Sequence, residues 1–224
     1  MNKKTVLYGN RSLCKMLYLD SLHNDQIEVV AFVVDKAYLD PSGVFCGHPQ
    51  VAFETVESSY PPQEYSMIVL EGTLKDIGAP SLYDRAKAKG YTLLNYFSPK
   101  AVLAETFVCG DNNVIFELAY VGHNGKMGSN NVIRQQVYLG HDFVLGNNVI
   151  INSVVQVGGF CTLENDVFVG IGATVINDLH LSEGSVVGAG SVLIRSTEPF
   201  SKNVGCPAIN IGSRLKPKME NAHE

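Results

Sequence analysis

The sequence predicts a small parallel α/β domain followed by a parallel β-helix, and a repeat of six residues is the main reason. Every sixth residue from Leu103 to Leu193 is apolar, at sixteen positions without a break. In a chain with 46% hydrophobic residues, chance gives such a run with a probability on the order of 10^-5. A period of six fits neither an α-helix nor a single strand. It is typical of hexapeptide repeats, three of which make one coil of a parallel β-helix.

Glycine follows the repeated apolar residue at eight of the sixteen positions. The apolar residue is expected to point into the prism, and the glycine lets the chain turn the corner at low steric cost. Because the repeat has no insertion, we expect about five coils of eighteen residues between residues 100 and 194, without a protruding loop. Residues eighteen apart should stack at about 4.8 Å, the spacing of paired strands.

The first 97 residues show a different pattern, in which strands alternate with helices. The apolar runs that predict strands are residues 5–8, 29–34, 67–70 and 91–94. Helices are expected to begin at Ser12 and Ser81. This order predicts a Rossmann-like domain over residues 1–97 and a β-helix domain over residues 98–224. Residues after about Ser196 are expected to leave the coils and fold back as a loop and a tail.

Composition and charge exclude several classes of protein. The net charge is −5, the calculated pI is about 5.7 and no basic block is present, so a nucleic-acid or anionic-membrane surface is not expected. The five cysteines are scattered without a CxxC pair, which is typical of a reducing compartment. The first apolar run is too short for a signal peptide, and no window approaches a membrane span. The sequence therefore predicts a cytoplasmic protein.

His141 and Asp142 are the main catalytic candidates. A histidine with a pKa near 6.5 can remove a proton from an amine or a hydroxyl at neutral pH, and a neighbouring carboxylate can hold its tautomer. His123 lies one coil earlier in the same column, where it could help to position a substrate. For both histidines the alternative is an exposed side chain on a solvated corner.

Glycines above His141 predict a site for acyl transfer. Gly159 lies one coil after His141, and its backbone N–H could hold a developing oxyanion. Small residues at 170–173 and 188–190 are expected to continue this feature as a narrow groove for an extended pantetheine arm. The alternative is that tight corners of the repeat alone explain these residues.

The N-terminal domain contains a possible nucleotide site. Gly9, Asn10 and Arg11 lie between a strand and a helix, where a turn can bind phosphate. Asp35 and Lys36 follow the second strand, a position where a carboxylate often meets a ribose or a base. A simple strand-end turn is the alternative. No metal site is expected, because His180 is more than two coils from His141 and in a different phase.

Several motifs occur in a characteristic order along the chain. They are Gly9-Asn10-Arg11-Ser12, Asp35, Ala86-Lys87-Ala88-Lys89-Gly90-Tyr91, Leu139-Gly140-His141-Asp142, Gly170-Ile171-Gly172-Ala173 and Gly205-Cys206-Pro207-Ala208. On these motifs the chain resembles the bacterial sugar O-/N-acyltransferases of the hexapeptide superfamily, which N-acetylate nucleotide-linked amino sugars for surface glycans such as lipopolysaccharide. The resemblance implies a left-handed parallel β-helix, acetyl-CoA as co-substrate, and a homotrimer with active sites between subunits.

The resemblance also implies roles for individual residues. His141 corresponds to the general base, Asp142 to its acidic neighbour and Gly159 to the backbone oxyanion donor. The expected coenzyme A contacts are Gly159, Ile171, Ala173, Ala189 and Pro207. The expected contacts with the nucleotide sugar are Gly9, Asn10, Arg11, Asp35, Lys36 and His123. The first turn departs from the family pattern because it has fewer glycines. Apolar residues expected on an outer face that a trimer would cover are Val137, Val149, Val155 and Val167.

The leading hypothesis is therefore an N-acetyltransferase that acts on the amino group of a nucleotide-linked amino-dideoxy sugar. One alternative is O-acetylation of a sugar of the sialic acid type, because a histidine base serves a hydroxyl as well as an amine. Another is a non-catalytic β-helix module that binds a nucleotide sugar. The nucleotide, the sugar and the position of the acceptor amine are left open.

Overall fold

The computed structural model describes residues 3–9, 11–74, 77 and 79–215, and it contains a parallel α/β sheet followed by a parallel β-solenoid. The strands of the N-terminal sheet are β1 (Lys3–Gly9), β2 (Ile27–Val34), β3 (Val44–Phe45), β4 (His48–Ala52) and β5 (Ser66–Leu70), and its helices are α1 (Arg11–Ser21) and α2 (Leu82–Ala88). Short 3-10 turns lie at Lys36–Tyr38 and Phe53–Ser58. The strand order is β3-β4-β2-β1-β5, with every pair parallel except β3 with β4.

Helices cover both faces of this sheet, which explains why its central strands are continuous apolar runs. On one side Leu7 and Ile68 pack in a cluster with Leu13 and Leu17 of α1. On the other side Val6, Val33 and Met67 are in a cluster with Ala86 of α2. As predicted, Ser81 marks the start of α2. It is the N-cap of the helix, and its side chain forms a capping box with Asp84.

Three details of this region differ from the prediction. Helix α1 begins at Arg11 rather than after Ser12. Residues 91–94 contribute one isolated bridge, from Leu93 to Met67, instead of a strand. The hairpin of β3 and β4 was not predicted, because its strands are too short for a visible alternation. It is formed by a two-residue turn in which Cys46 and Gly47 both have positive φ.

The solenoid consists of two-residue strands that recur every six residues and form three faces. The first face contains β7 (Val102–Leu103), β10 (Tyr120–Val121), β13 (Tyr138–Leu139), β16 (Gln156–Val157), β19 (Thr174–Val175) and β22 (Val192–Leu193). The second face contains β8 (Val108–Cys109), β11 (Lys126–Met127), β14 (Val144–Leu145), β17 (Thr162–Leu163) and β20 (His180–Leu181). The third face contains β6 (Tyr96–Phe97), β9 (Val114–Ile115), β12 (Val132–Ile133), β15 (Ile150–Ile151), β18 (Phe168–Val169) and β21 (Val186–Val187), followed by β23 (Ser201–Gly205) and β24 (Ala208–Ser213).

The register of the coils follows the predicted repeat. Tyr120 pairs with Val102 on one side and with Tyr138 on the other, so each residue lies over the one eighteen positions earlier. The strands follow one another from β7 to β22 without an insertion, which confirms the predicted run of about five coils. The repeated apolar residues form the core of the prism, as Ile133, Leu139 and Leu163 illustrate.

The prediction that Val137, Val149, Val155 and Val167 lie on an outer face is wrong. All four are buried inside the solenoid. Each lies two residues before a core position of the six-residue repeat, and side chains two apart on extended backbone point to the same side. Exposed apolar residues of the outer faces include Val102, Tyr120 and Tyr138 on the first face and Val108 and Val144 on the second.

The segment after Ser196 is more ordered than predicted. Strand β23 pairs in parallel with β21 and so extends the third face, and β24 returns antiparallel to β23. Pro199, Pro207 and Pro217 suggested only a loop, and they made the five-residue strand β23 between the first two difficult to recognise. All five cysteines are free. In the described ranges of the chain, no helix is long and apolar enough to cross a bilayer.

We expect Gly122→Ala to lower the free energy of unfolding by about 2 kcal/mol, because extra atoms in a packed core force the backbone to shift. A Cβ at this glycine would lie 2.3 Å from the carbonyl oxygen of Gly140 in the next coil. Gly172→Asn is the matched control, since Gly172 has φ +67° and open space around a Cβ, and asparagine accepts that conformation. Urea denaturation of both variants tests the prediction, and equal stability of the two would contradict it.

Candidate active site

The first corner of the solenoid, between the first and second faces, holds His141 next to an ionised carboxylate. Nδ1 of His141 lies 2.8 Å from Oδ2 of Asp142. The hydrogen bond with His141 lowers the pKa of Asp142, with a further contribution from Asn124, so the carboxylate is charged at neutral pH. Because an ionised carboxylate only accepts hydrogen bonds, Nδ1 is the donor, and in the neutral imidazole the other nitrogen, Nε2, carries no proton. This tautomer is the one that a general base requires.

The backbone of the corner positions this pair. Asp142 has φ +53° and Asn124, one coil below, has φ +58°, a left-handed conformation that asparagine and aspartate tolerate better than most residues. Nδ2 of Asn124 donates to Oδ1 of Asp142 at 3.1 Å. Each carboxylate oxygen of Asp142 therefore has its own donor. Asn124 was not singled out from the sequence, although its position eighteen residues before Asp142 was a usable signal.

Gly159 lies directly against the imidazole of His141. A Cβ at Gly159 would come within 2.9 Å of both Cε1 and Nε2 of that ring, so any other residue would displace the histidine. Gly159 is buried there, and its N–H has no acceptor within the described part of the chain. At the corner between the second and third faces, by contrast, the N–H groups of Ser129 and Asn147 donate to asparagine side chains of the next coil. The His141 corner thus keeps an uncommitted N–H beside its histidine.

His123 is exposed one coil below His141. Its Nδ1 lies 3.4 Å from Oγ1 of Thr106, which also accepts a hydrogen bond from the N–H of Asn124. Above His141, the ring of Phe160 meets the imidazole edge to face at 4.9 Å. The corner therefore presents a histidine, a carboxylate and an aromatic ring to solvent.

The predicted single groove above Gly159 is not formed within one chain. Ile171 and Ala189 lie at the corner between the third and first faces, because they follow β18 and β21. Residue 171 is twelve positions after Gly159, which is two thirds of a coil, and only a spacing of eighteen keeps two residues on one corner. Both are exposed, but Ala173 is fully buried in the core and has no side-chain access to a ligand. Pro207 is exposed in the turn between β23 and β24.

A cavity of about 590 Å³ opens in the N-terminal region where β1, β2 and β5 end. Its lining includes Gly9 and Arg11 after β1, Asp35 after β2 and Glu71 after β5. The carboxyl ends of parallel strands are where open α/β sheets bind ligands. Asn10 lies outside the described residues. Lys36 is exposed and does not line the cavity, and its backbone N–H donates to the carboxylate of Glu54.

The carboxylate of Asp35 is held by two neighbours. Arg85 donates to both of its oxygens, at 2.8 and 2.9 Å, and the hydroxyl of Tyr8 donates to one of them at 2.7 Å. The hydrogen bonds from Arg85 are the largest cause of a lowered pKa for Asp35. Arg85 also lies 4.7 Å over the ring of Phe53, which stacks on Tyr8. Sequence reasoning missed Tyr8 and Arg85, because each looks like an ordinary strand or helix residue.

Arg11 lies at the mouth of the same cavity. Its guanidinium is 3.2 Å from Oδ2 of Asp40 and 4.7 Å over the ring of Phe45. Arg11 is the first residue of α1 and follows the end of β1 by two positions. Among the residues that the structure describes, no group of three or more histidine, cysteine, aspartate or glutamate side chains is placed to hold a metal ion.

Comparison with known proteins shows a fold that is shared with solved structures. No protein-family model and no curated protein sequence matches the chain. PerB from Caulobacter crescentus, solved with coenzyme A and GDP-perosamine, superposes with a TM-score of 0.83 at 21% identity, over 93% of this chain and 97% of PerB. The acetyltransferase domain of PglB from Neisseria gonorrhoeae gives 0.82 at 19% identity, over 94% and 100% of the two chains. WeeI from Acinetobacter baumannii gives 0.76 at 17% identity, again over 94% and 100%.

These superpositions span the α/β sheet and the solenoid together. At this level of identity they establish the architecture of nearly the whole chain, and the chemistry has to be argued from its own residues.

We expect Asp35→Asn to destabilise the protein at pH 7 by about 1–2 kcal/mol, because a charge-assisted pair that is roughly 30% exposed is lost. The folded-state pKa of Asp35 is lowered, so its contribution is present above the unfolded pKa, about 3.9. It is lost as the pH falls through the lower folded-state pKa. The stabilities of the two proteins should therefore begin to converge below about pH 4 and become equal only below the folded-state pKa of Asp35. Asp40→Asn is the control, with a smaller effect from an exposed pair, and an unchanged Asp35→Asn stability at pH 7 would contradict the prediction.

Proposed function

We propose that this chain transfers an acetyl group from acetyl-CoA to the amino group of a nucleotide-linked amino-dideoxy sugar. In this proposal the N-terminal sheet with its helices is a Rossmann-like domain that binds the nucleotide. The solenoid, whose first strand is β6 (Tyr96–Phe97), is a left-handed β-helix that carries the chemistry. The observation that carries the proposal is the His141 corner. There an oriented imidazole, with a free Nε2, lies in contact with Gly159, whose N–H has no acceptor in the described structure.

The geometry of the corner supports a direct transfer. The acceptor enters as a neutral amine and attacks the thioester carbonyl. Nε2 of His141 accepts the proton that the nitrogen sheds, and the resulting imidazolium is stabilised by the Asp142 carboxylate at 2.8 Å from Nδ1. The Gly159 N–H faces the oxygen on which negative charge develops. When the carbon–sulfur bond breaks, the imidazolium returns the proton to the departing thiolate.

The N-terminal cavity fits a nucleoside diphosphate. Its volume of about 590 Å³ lies within the usual range for small-molecule sites, about 300–1,000 Å³. The N-terminal end of α1, together with Arg11, supplies positive potential for phosphate. The solved neighbour PerB was crystallised with a nucleotide-linked amino sugar, GDP-perosamine, which supports this class of ligand. Asp35 is placed to accept a hydrogen bond from a base or ribose through its remaining lone pairs.

The corner between the third and first faces fits an extended pantetheine arm. A Cβ added at Gly172 or at Gly190 would have no heavy atom within 4 Å, apart from chain neighbours, so the surface is open at both glycines. Ile171 and Ala189 are exposed beside it. The first face separates this corner from His141, so one copy alone does not bring the two together. Two neighbouring copies would do so, and this supports a homotrimer with shared sites.

Activity measurements on His141→Asn test the proposed chemistry. The assay follows release of free thiol from acetyl-CoA with amino sugars linked to UDP, dTDP or GDP. We expect kcat to fall by at least about a hundredfold, because loss of a general base typically costs 10²–10⁴ in rate. Both KM values should stay within a few-fold, since the residue acts in the transition state.

His180→Asn provides the matched control. Its Nε2 lies 2.8 Å from Oε1 of Glu164 and it is about as exposed as His141, but it lies on the second face away from the corner. We expect its kcat to equal that of the wild type. Equal losses in the two variants would point to folding rather than catalysis. If His141→Asn retained a tenth of the activity, the proton would have to leave by another route. Wild-type transfer to a sugar hydroxyl but not to an amine would favour an O-acetyltransferase.

Light scattering tests the proposed assembly. A homotrimer should have three times the 24.3 kDa mass of the chain at micromolar concentration. The stacked rings of Tyr120 and Tyr138, with centroids 5.2 Å apart, lie exposed on the first face between the two corners. Tyr120→Glu together with Tyr138→Glu should therefore weaken the assembly, because charges are disfavoured in a buried interface. A monomeric mass for the wild type would contradict shared active sites.

A further inference from the structure

We propose that Phe160 is a specificity residue that contacts the deoxygenated carbon of the acceptor sugar. The proposal rests on the proposed function and concerns which acceptor the site prefers. Phe160 lies on the coil above Asp142, and its ring meets the His141 imidazole edge to face, with centroids 4.9 Å apart and planes at 89°. It remains 55% exposed, so the side chain is open to solvent beside the candidate base.

The backbone conformation at Phe160 is one that a bulky side chain adopts only at a cost. Its φ is +58°, a left-handed conformation that every sixth residue of the solenoid adopts. In the same column this position is held by Asn124, Asp142 and Asp178, also at positive φ. Asparagine and aspartate accept this conformation at little cost, whereas a bulky side chain is strained there. Leu118 and Val154 share this conformation, so the contact with His141 is what distinguishes Phe160.

Phe200 shows what a structural reason would look like. It also has a positive φ of 57°, but its ring packs against Gly184, where a Cβ would lie 2.4 Å from the ring. The ring of Phe160 instead meets that of His141. The proposed reaction requires His141 to be accessible to the substrate. Exposed apolar surface that is both strained and next to a candidate base is best explained by contact with a ligand.

The reaction geometry determines which part of the ligand this is. The acceptor amine must come within about 3 Å of Nε2 of His141, so the sugar carbons around the amine lie in front of the corner and within reach of Phe160. An aromatic ring offers no hydrogen bond to a hydroxyl, which would lose its water there. A methyl or methylene group loses nothing and buries apolar surface. The ring therefore favours a sugar that lacks oxygen at a carbon near the amine.

The test compares two acceptors that differ by one oxygen. The probes are a 4-amino-4,6-dideoxyhexose and the 4-amino-4-deoxyhexose that keeps its C6 hydroxyl, each linked to GDP, UDP and dTDP. We expect the wild type to prefer the dideoxy sugar in kcat/KM. Phe160→Asn should reduce that preference by about tenfold, because one apolar group in a pocket is worth 10–200-fold. The ratio of acetyl-CoA to propionyl-CoA use should stay unchanged.

Leu118→Asn is the matched control. Leu118 is also apolar, 62% exposed and at φ +61°, but it lies on the corner between the third and first faces, three coils below Gly172, and does not contact His141 within one chain. Both substitutions should raise the melting temperature or leave it unchanged, since asparagine suits the backbone. Leu118→Asn should leave the acceptor preference unaltered.

Four results would overturn the proposal. An unchanged acceptor preference in Phe160→Asn, with wild-type turnover intact, removes the specificity role alone. A drop in melting temperature together with lost activity assigns Phe160 to structure. A shifted pH profile of kcat/KM means that Phe160 acts by orienting His141. Absence of turnover by the wild type with all the amino sugars removes this proposal together with the proposed function.

Discussion

Backbone hydrogen bonds between successive eighteen-residue coils set the place of every functional group in the solenoid. The N–H of Tyr120 donates to Val137 and that of Tyr138 to Val155, and the same step recurs up each face. Because the strands are only two residues long, a single inserted residue would rotate the later side chains from core to solvent. The six-residue repeat of apolar residues is therefore maintained from the first coil to the last. Once the register is fixed, the backbone alone brings His141, Gly159 and Asn124 into neighbouring positions.

The same register builds the connection between the solenoid and the N-terminal sheet. Asn112 pairs with the outer edge of β5, donating to the carbonyl of Val69 at 3.0 Å and accepting from its N–H at 2.8 Å. Asn130, one coil on, donates to Glu71 at 2.9 Å, and Asn112 donates to Asn130 at 2.7 Å. An unpaired strand edge is thus satisfied by side-chain amides. Glu71 also lines the N-terminal cavity, so the position of that cavity relative to the coils depends on this ladder.

Sequence reasoning predicted the features that follow from periodicity. The coils, the capped start of α2 and the stacking of His123, His141 and Gly159 all depend on fixed spacings, and spacing is visible in a sequence. It also placed Gly9, Arg11 and Asp35 at strand ends, where the structure has its cavity. Local sequence patterns therefore predicted which residues lie at the strand ends that line the cavity.

The residues that were missed or misplaced fall into two groups. Some depend on contacts between distant parts of the chain, and others were assigned to the wrong corner or face of the repeat. Arg85 reaches Asp35 from fifty residues away, and no local pattern indicates that pair. Ile171 and Ala189 were assigned to the same corner as Gly159, although a spacing of twelve moves a residue to another corner. Val137, Val149, Val155 and Val167 were predicted on an outer face, because the alternation of side chains along each strand was overlooked. Phe160 carried a signal, since it interrupts a column of asparagine and aspartate, but its meaning depends on the ring contact with His141.

The central claim is that two corners of neighbouring copies make one acyl-transfer site. A crystal structure of the wild type with coenzyme A and a nucleotide-linked amino-dideoxy sugar tests it most directly. We predict an acceptor amine about 3 Å from Nε2 of His141. The coenzyme A sulfur should lie beside Gly159, and its pantetheine arm should run along Ile171 and Ala189 of a neighbouring copy. Coenzyme A bound on another surface, or an acceptor amine far from His141, would contradict the account.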